Sequence, residues 1–109
     1  MITRKLEPEA WQEYMDHASH RLAGGRVEVE VLGDDIGAQV LSDMTLIGLS
    51  YDPHDRALTI SGEPIEHRIS DPTEIYVEEE DGELSCLEVR DPEGHRNLVR
   101  VFPAPPLPS

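Results

Sequence analysis

The chain is poor in basic residues. Of its 109 residues only nine are lysine or arginine, whereas 23 are aspartate or glutamate, and the formal net charge at pH 7 is −14. Proteins that bind nucleic acids or anionic membranes gain affinity from clustered basic residues. We therefore expect neither a nucleic acid nor a membrane as a partner. A basic protein is the expected counterpart of such a surface, and self-assembly into a homo-oligomer remains open.

Cysteine is almost absent as well. The single residue of this type, Cys86, excludes a disulfide within the chain and a cluster of cysteine metal ligands. A lone free thiol is typical of a reducing compartment. The sequence shows no secretory signal, and no apolar run approaches the roughly 20 residues of a membrane span. The expected location is the cytoplasm.

Aromatic residues make up 5% of the chain, so we expect a core of valine, leucine and isoleucine. The length fits a single domain. We place that domain at residues 1–102. The proline-rich residues 103–109 are predicted to form a flexible tail.

One helix is predicted near the amino terminus, over residues 8–22. Pro8 suits the first position of a helix, where its missing N–H is no loss. Gly24 and Gly25 supply a stop after the last apolar residue. The predicted apolar face of the helix consists of Trp11, Tyr14, Met15, Ala18 and Leu22.

After Gly25 the apolar residues alternate with polar ones, which predicts strands. Turn sequences rich in glycine, proline and aspartate separate these segments. None is followed by an insert long enough for a crossover helix, so we expect an antiparallel sheet. The predicted strands are 26–32, 38–51, 56–61, 65–70, 73–79, 84–90 and 96–102.

The long second strand is apolar on both faces. Met44 and Leu46 would lie on one face, and Ile47 and Leu49 on the other. Gly48 within this strand predicts a bulge or a sharp bend, because glycine in a strand interior often marks such a site.

These elements predict an α+β fold, with an N-terminal helix packed on a strongly curved antiparallel β-sheet or on a small barrel. A helix followed by a long bent strand is similar in plan to the Sm-like and SH3-like barrels. Proteins with the Sm-like fold commonly bind RNA or form rings. The strong negative charge makes an Sm-like nucleic-acid-binding module the weakest of the functional readings.

The segment 30–39, Glu-Val-Leu-Gly-Asp-Asp-Ile-Gly-Ala-Gln, resembles a signature of a bacterial family of small proteins with no assigned function. Pro8 and the residues 46–48 agree with the same family pattern. The resemblance covers most of residues 6–102. It implies a compact one-domain cytoplasmic protein and no particular reaction.

No catalytic or cofactor motif is found, and we expect a non-catalytic interaction or regulatory module without cofactors. The acidic sheet face of segment 74–83 would attract a basic partner. The predicted contact residues in this segment are Tyr76, Glu78, Glu79 and Glu80.

The alternative is a protein that binds a metal or a small ligand, with or without enzyme activity, centred on His67. In the strand alternation His67 shares a face with Ile65 and Ile69, so the imidazole could lie in a pocket or bond to Gln39. Gln39 itself lies beside a glycine turn, where its amide could bind a ligand.

The remaining histidines and acidic residues do not form a recognisable set of metal ligands, so no metal site is assigned. His17 and His20 share one side of the predicted helix but lack a third ligand at a known spacing. The acidic runs lack the spacing of a calcium loop. His54 and His95 fall in turns and are expected to be exposed.

Overall fold

The computed structural model describes residues 2–103, except for the side chains of Ile2 and of residues 40–42. Most of the predicted proline-rich tail, residues 104–109, lies outside this range. No helix in the described range is long and apolar enough to cross a membrane. The elements are β1 (Ile2–Leu6), a 3₁₀ turn (Pro8–Ala10), α1 (Trp11–Leu22), β2 (Arg26–Gly33), β3 (Gly37–Asp52), β4 (Ala57–Glu63), β5 (His67–Ser70), β6 (Glu74–Glu80), β7 (Glu83–Arg90) and β8 (Arg96–Phe102).

All eight strands belong to one antiparallel sheet with the order β1-β6-β7-β8-β2-β3-β4-β5. The sheet is open, because β1 and β5 each pair with a single neighbour. The predicted α+β fold with one N-terminal helix is therefore confirmed, in its open-sheet form rather than as a small barrel.

Strand β1 was not predicted from the sequence. It is only five residues long, and its interior is the polar run Thr3-Arg4-Lys5, which gives no strand pattern. It forms because it pairs with β6 and places Leu6, which is 2% exposed, opposite the fully buried Ile75. Burial in the tertiary structure thus overrides the weak local preference.

The sheet curves strongly. Strands β2, β3 and β4 lie between β8 and β5 in the strand order, and yet His67 on β5 is 3.4 Å from Asn97 on β8. The concave side created by this curvature holds the aliphatic core. The predicted strong curvature is confirmed, and it places the two ends of a five-strand segment next to each other.

Helix α1 covers the core. Its buried residues, Trp11, Met15, Ala18 and Leu22, follow the predicted spacing. The indole Nε1 of Trp11 donates a hydrogen bond to the carbonyl oxygen of Leu6 (3.2 Å), so the one polar atom of this side chain is satisfied.

The predicted irregularity at Gly48 is present. The pairing of β3 with β4 shifts register between Leu46 and Gly48. Leu46 and Leu49 are consequently both buried, at 1% and 3% exposure, and Ile47 is 54% exposed. The expectation that Ile47 shares a face of the strand with Leu49 was wrong, because the bulge places Leu49 on the buried side together with Leu46.

Gly48 also lets the helix approach the sheet. A Cβ atom at this position would lie 2.9 Å from Oγ of Ser19. The same hydroxyl oxygen accepts a hydrogen bond from the backbone N–H of Leu49 (3.0 Å). Helix α1 is thereby joined to β3 at the bulge.

On its other side the helix is tied to the hairpin between β6 and β7. The Tyr14 hydroxyl and the Arg4 guanidinium both donate hydrogen bonds to Glu79, at 3.0 and 2.9 Å. Arg21 forms an ion pair with Glu83. The hydrogen bond from Arg4 lowers the pKa of the Glu79 carboxyl. Burial of the ring is the main reason that the pKa of Tyr14 is raised.

Replacing Met15 by alanine should lower the free energy of unfolding by about 2–5 kcal/mol, because its fully buried side chain would leave a cavity in the core. Gln12, which is exposed on the same helix, is the matched control. Urea denaturation of M15A and Q12A tests this. Equal midpoints for the two variants would contradict the packing described for α1.

Glu79 should make the protein sensitive to acid. Its folded-state pKa is lowered, so its stabilising contribution is complete above the unfolded-state pKa of about 4.3 and is lost as the pH falls through the folded value. E79Q should cost about 1 kcal/mol at pH 7 and correspondingly less at pH 3. Thermal denaturation across this pH range measures the difference. The exposed Glu9 is the control, and E9Q should run parallel to the unmodified protein.

Candidate functional site

A polar cleft lies at one end of the sheet, where the edge strand β5 faces the hairpin between β7 and β8. Its lining includes His67 from β5, Asn97 from β8, and Asp91, Glu93 and His95 from the hairpin. The curvature of the sheet brings these residues together, because β5 is far from β8 in the strand order. It is the part of the described chain where two histidines and several carboxylates meet.

The hairpin between β7 and β8 is shaped by Asp91. One carboxylate oxygen, Oδ1, accepts hydrogen bonds from the backbone N–H groups of Glu93 (3.0 Å) and His95 (2.9 Å). Gly94 follows with φ of +85°, a conformation that favours glycine. The turn therefore places the side chains of Asp91, Glu93 and His95 on one side. Nδ1 of His95 is 3.8 Å from Oδ2 of Asp91 and 3.7 Å from Oε2 of Glu93.

The other ring nitrogen of His95 reaches a different hairpin. Nε2 lies 2.8 Å from Oδ1 of Asp35, in the turn between β2 and β3. The imidazole packs directly on Gly33, where an added Cβ would be 2.5 Å from Cδ2 of the ring. The absence of a side chain at position 33 is thus what allows the two hairpins to meet around His95.

The electrostatics of this cluster favour positive charge on the imidazole. The hydrogen bond with Asp35 raises the pKa of His95, and the charges of Asp35, Asp91 and Glu93 act in the same direction. The same bond lowers the pKa of Asp35. The side chains of His95 and Asp91 are each 16% exposed, whereas those of Asp35 and Glu93 are 68% and 79% exposed, so the cluster is covered on its inner side and open to solvent on its outer side.

His67 lies in the same cleft, half-buried, and its tautomer follows from its partner. Asn97 is 3% exposed, and its Nδ2 donates a hydrogen bond to the carbonyl oxygen of Val89 (3.1 Å). Oδ1 of Asn97 therefore faces His67, and Nε2 of His67 must donate to it (3.4 Å). In a neutral ring the lone pair then lies on Nδ1.

Two sequence-based expectations about this region need correction. Ile65, expected to share a buried face with His67, precedes β5 and is 48% exposed. Gln39, weighed as a hydrogen-bond partner of His67, is exposed on β3 and is not among the residues that line the cleft. The register of the sheet places Gln39 opposite Val31, away from β5. Its role in ligand binding stays a prediction.

The four predicted partner-binding residues do not lie on one surface. Tyr76 and Glu78 face away from the core, and Glu79 points to the helix side, where Arg4 and Tyr14 hold it. Glu80 is exposed at the end of β6. Strand alternation explains the split, since neighbouring residues point to opposite faces. Partner binding by these residues remains a prediction.

Sequence reasoning missed the cluster around His95. The residue was expected to be exposed in its turn, but its side chain is largely covered. The spacing Asp-x-Glu-x-His in the five-residue connection 91–95 is a usable signal, because a tight turn brings alternate side chains to one side. The contribution of Asp35 has no such signal, since it comes from a hairpin 60 residues away.

Comparisons with known proteins give a consistent result. Residues 2–108 match a family described as a family of unknown function, DUF5335. An uncharacterized protein of Aquifex aeolicus (strain VF5) is 44% identical over 111 residues, covering 100% of both chains. No solved structure matches the chain at a significant level. The resemblance to a bacterial family of uncharacterised proteins is confirmed.

Replacing Gly33 by alanine should destabilise the protein by about 1–3 kcal/mol, because the new methyl group would collide with the His95 ring. In an H95A background the same substitution should cost less, since the ring is gone. Urea denaturation of the two single variants and the double variant measures this coupling. An equal cost in both backgrounds would show that His95 does not pack on Gly33.

Proposed function

We propose that this chain, which belongs to the family of unknown function DUF5335, binds a divalent metal ion at His95, Asp91 and Glu93. The observation that carries the proposal is the environment of one imidazole ring. Nε2 of His95 is hydrogen-bonded to the Asp35 carboxylate, and Nδ1 faces the carboxylates of Asp91 and Glu93. Metal-binding histidines commonly use the second ring nitrogen in this way, to bond a carboxylate that fixes the tautomer and the ring orientation.

The distances suit a small cation. Zinc bonds of about 2.0–2.1 Å in a tetrahedral arrangement place neighbouring ligand atoms about 3.4 Å apart. The separations from His95 Nδ1 to the two carboxylate oxygens are 3.8 and 3.7 Å. All three ligand atoms lie within 4.8 Å of one another, and a rotation of the exposed Glu93 side chain would bring them to the separations of a zinc site.

The donor set favours a transition metal over calcium or magnesium. Calcium takes six to eight oxygen ligands, and magnesium prefers oxygen ligands with several waters. One imidazole nitrogen with two carboxylate oxygens suits zinc or a similar first-row ion. Oδ2 of Asp91 is the atom available for the ion, because Oδ1 is engaged by the backbone of the turn.

Three protein ligands leave a coordination position for water or a small ligand, as in zinc sites that carry out chemistry. His67 lines the cleft beside this position, and its lone pair on Nδ1 is set by the bond to Asn97. This arrangement supports exchangeable ligand binding next to the ion. We place this activity in the cytoplasm, a location that the single cysteine supports.

Isothermal titration calorimetry with zinc chloride should detect one site per chain. E93Q should weaken zinc binding about tenfold with little effect on the thermal stability of the metal-free protein, because the Glu93 side chain is 79% exposed and its 3.7 Å contact with His95 is a surface ion pair. D35N, which removes the partner of Nε2, should weaken binding by about 10–100-fold. H95Q should abolish binding at the site.

The helix supplies the matched control. His17 is 77% exposed, and its ion pair among the described residues is with a single carboxylate, that of Glu13. H17Q should therefore leave the titration unchanged. If H17Q removes the zinc signal, or if E93Q and H95Q bind zinc as tightly as the unmodified protein, the proposed site is wrong.

A further inference from the structure

A second candidate surface lies at the opposite end of β7 and β8 from His95. A groove with a volume of about 870 Å³ extends from the end of α1, at Arg21 and Leu22, past the hairpin between β6 and β7 and onto the outer face of β7 and β8. We infer that this groove binds a basic, amphipathic peptide segment of a partner protein. The inference is independent of the metal site.

The floor of the groove on this face is apolar and only partly covered. Cys86 and Leu98 are half-buried, and Phe102 is 37% exposed. Desolvation raises the pKa of the Cys86 thiol, with the charge of Glu78 acting in the same direction, so the thiol stays neutral. These side chains offer contact area to aliphatic or aromatic groups of a ligand.

The rim of the groove is negative. Five carboxylates and two guanidinium groups line it. Both guanidinium groups are already paired, Arg21 with Glu83 and Arg100 with Glu30. Within the described residues, by contrast, Glu78, Glu80 and Asp81 form no ion pair with a basic side chain. Three unpaired carboxylates beside an apolar floor are complementary to a ligand that alternates basic and apolar side chains.

A second copy of the chain is the less suitable occupant. Seven of the nine basic residues form ion pairs within the described structure. Only Lys5 and Arg68 are left in that part of the chain. Two chains with a net charge of −14 each would also repel one another at this rim.

The inference is tested with a fluorescein-labelled peptide, Lys-Leu-Lys-Phe-Lys-Leu-Lys, whose fluorescence anisotropy reports binding to the full-length protein. The triple variant E78Q/E80Q/D81N should weaken binding about tenfold, because it removes the three unpaired charges of the rim and leaves the floor unchanged. L98Q, which makes the floor polar, should reduce binding to the level of Lys-Ser-Lys-Ser-Lys-Ser-Lys, a peptide with the same four lysines and no apolar side chain.

A charge-matched variant distinguishes binding in the groove from nonspecific attraction of the basic peptide to the acidic protein. D55N/E63Q/E66Q removes three exposed carboxylates that also form no ion pair in the described residues, and it should change the affinity less than twofold. Circular dichroism and thermal denaturation establish that each variant is folded.

Three outcomes would overturn the inference. The first is an equal loss of binding in the two triple variants. The second is that Lys-Ser-Lys-Ser-Lys-Ser-Lys, which has the same four lysines, binds as tightly as the amphipathic peptide, which would show that the floor contributes nothing. The third is a dimer, seen by analytical ultracentrifugation, that the groove variant dissociates, because a second copy would then be the occupant.

Discussion

The close approach of helix α1 to strand β3 is the constraint on which the rest of the structure depends. The end of the helix is fixed by backbone hydrogen bonds of 2.8 Å, from the N–H of Gly24 to the carbonyl of Leu46 and from the N–H of Leu46 to the carbonyl of Gly25. The hydroxyl of Ser19 and the missing side chain of Gly48 complete the joint. The bulge at this point decides which leucines of β3 enter the core, and hence where the sheet bends.

Because the sheet bends around the helix, residues from distant strands meet at its ends. The polar cleft is formed by β5, β8 and two hairpins, and residues from the two hairpins together fix the position of the His95 ring. Gly33 makes room for His95, Asp35 holds its ring, and Asp91 shapes the turn that presents it. The cluster therefore depends on the curvature of the sheet, which brings its residues together from separate hairpins and strands.

The dependence of the cluster on tertiary contacts explains what could and could not be predicted from the sequence. The helix and seven strands follow from apolar periodicity and turn residues, and Gly48 marked the bulge correctly. Strict alternation put Ile47 on the same face as Leu49, because alternation alone does not show how a one-residue bulge shifts the faces of the strand. The sequence identified His67 as a candidate ligand-binding residue. It did not identify Asp35 and His95 as neighbours, because they meet only where two hairpins come together. Strand β1 escaped detection because its stability comes from pairing with β6 rather than from its own composition.

An open sheet leaves two strands with unpaired backbone groups, and such edges can recruit other chains into fibrils. Both edges of this protein are poor templates for that growth. Strand β5 is four residues long, and β1 carries Arg4 and Lys5 among its five residues. Strand β5 is thus too short for a foreign strand to pair along it. A foreign strand that paired with β1 would have to bury charged side chains. Charge and short length thus protect the two outermost strands without the closure that barrels use, and the part of β3 before Thr45, which pairs with β2 alone, is a further unpaired edge.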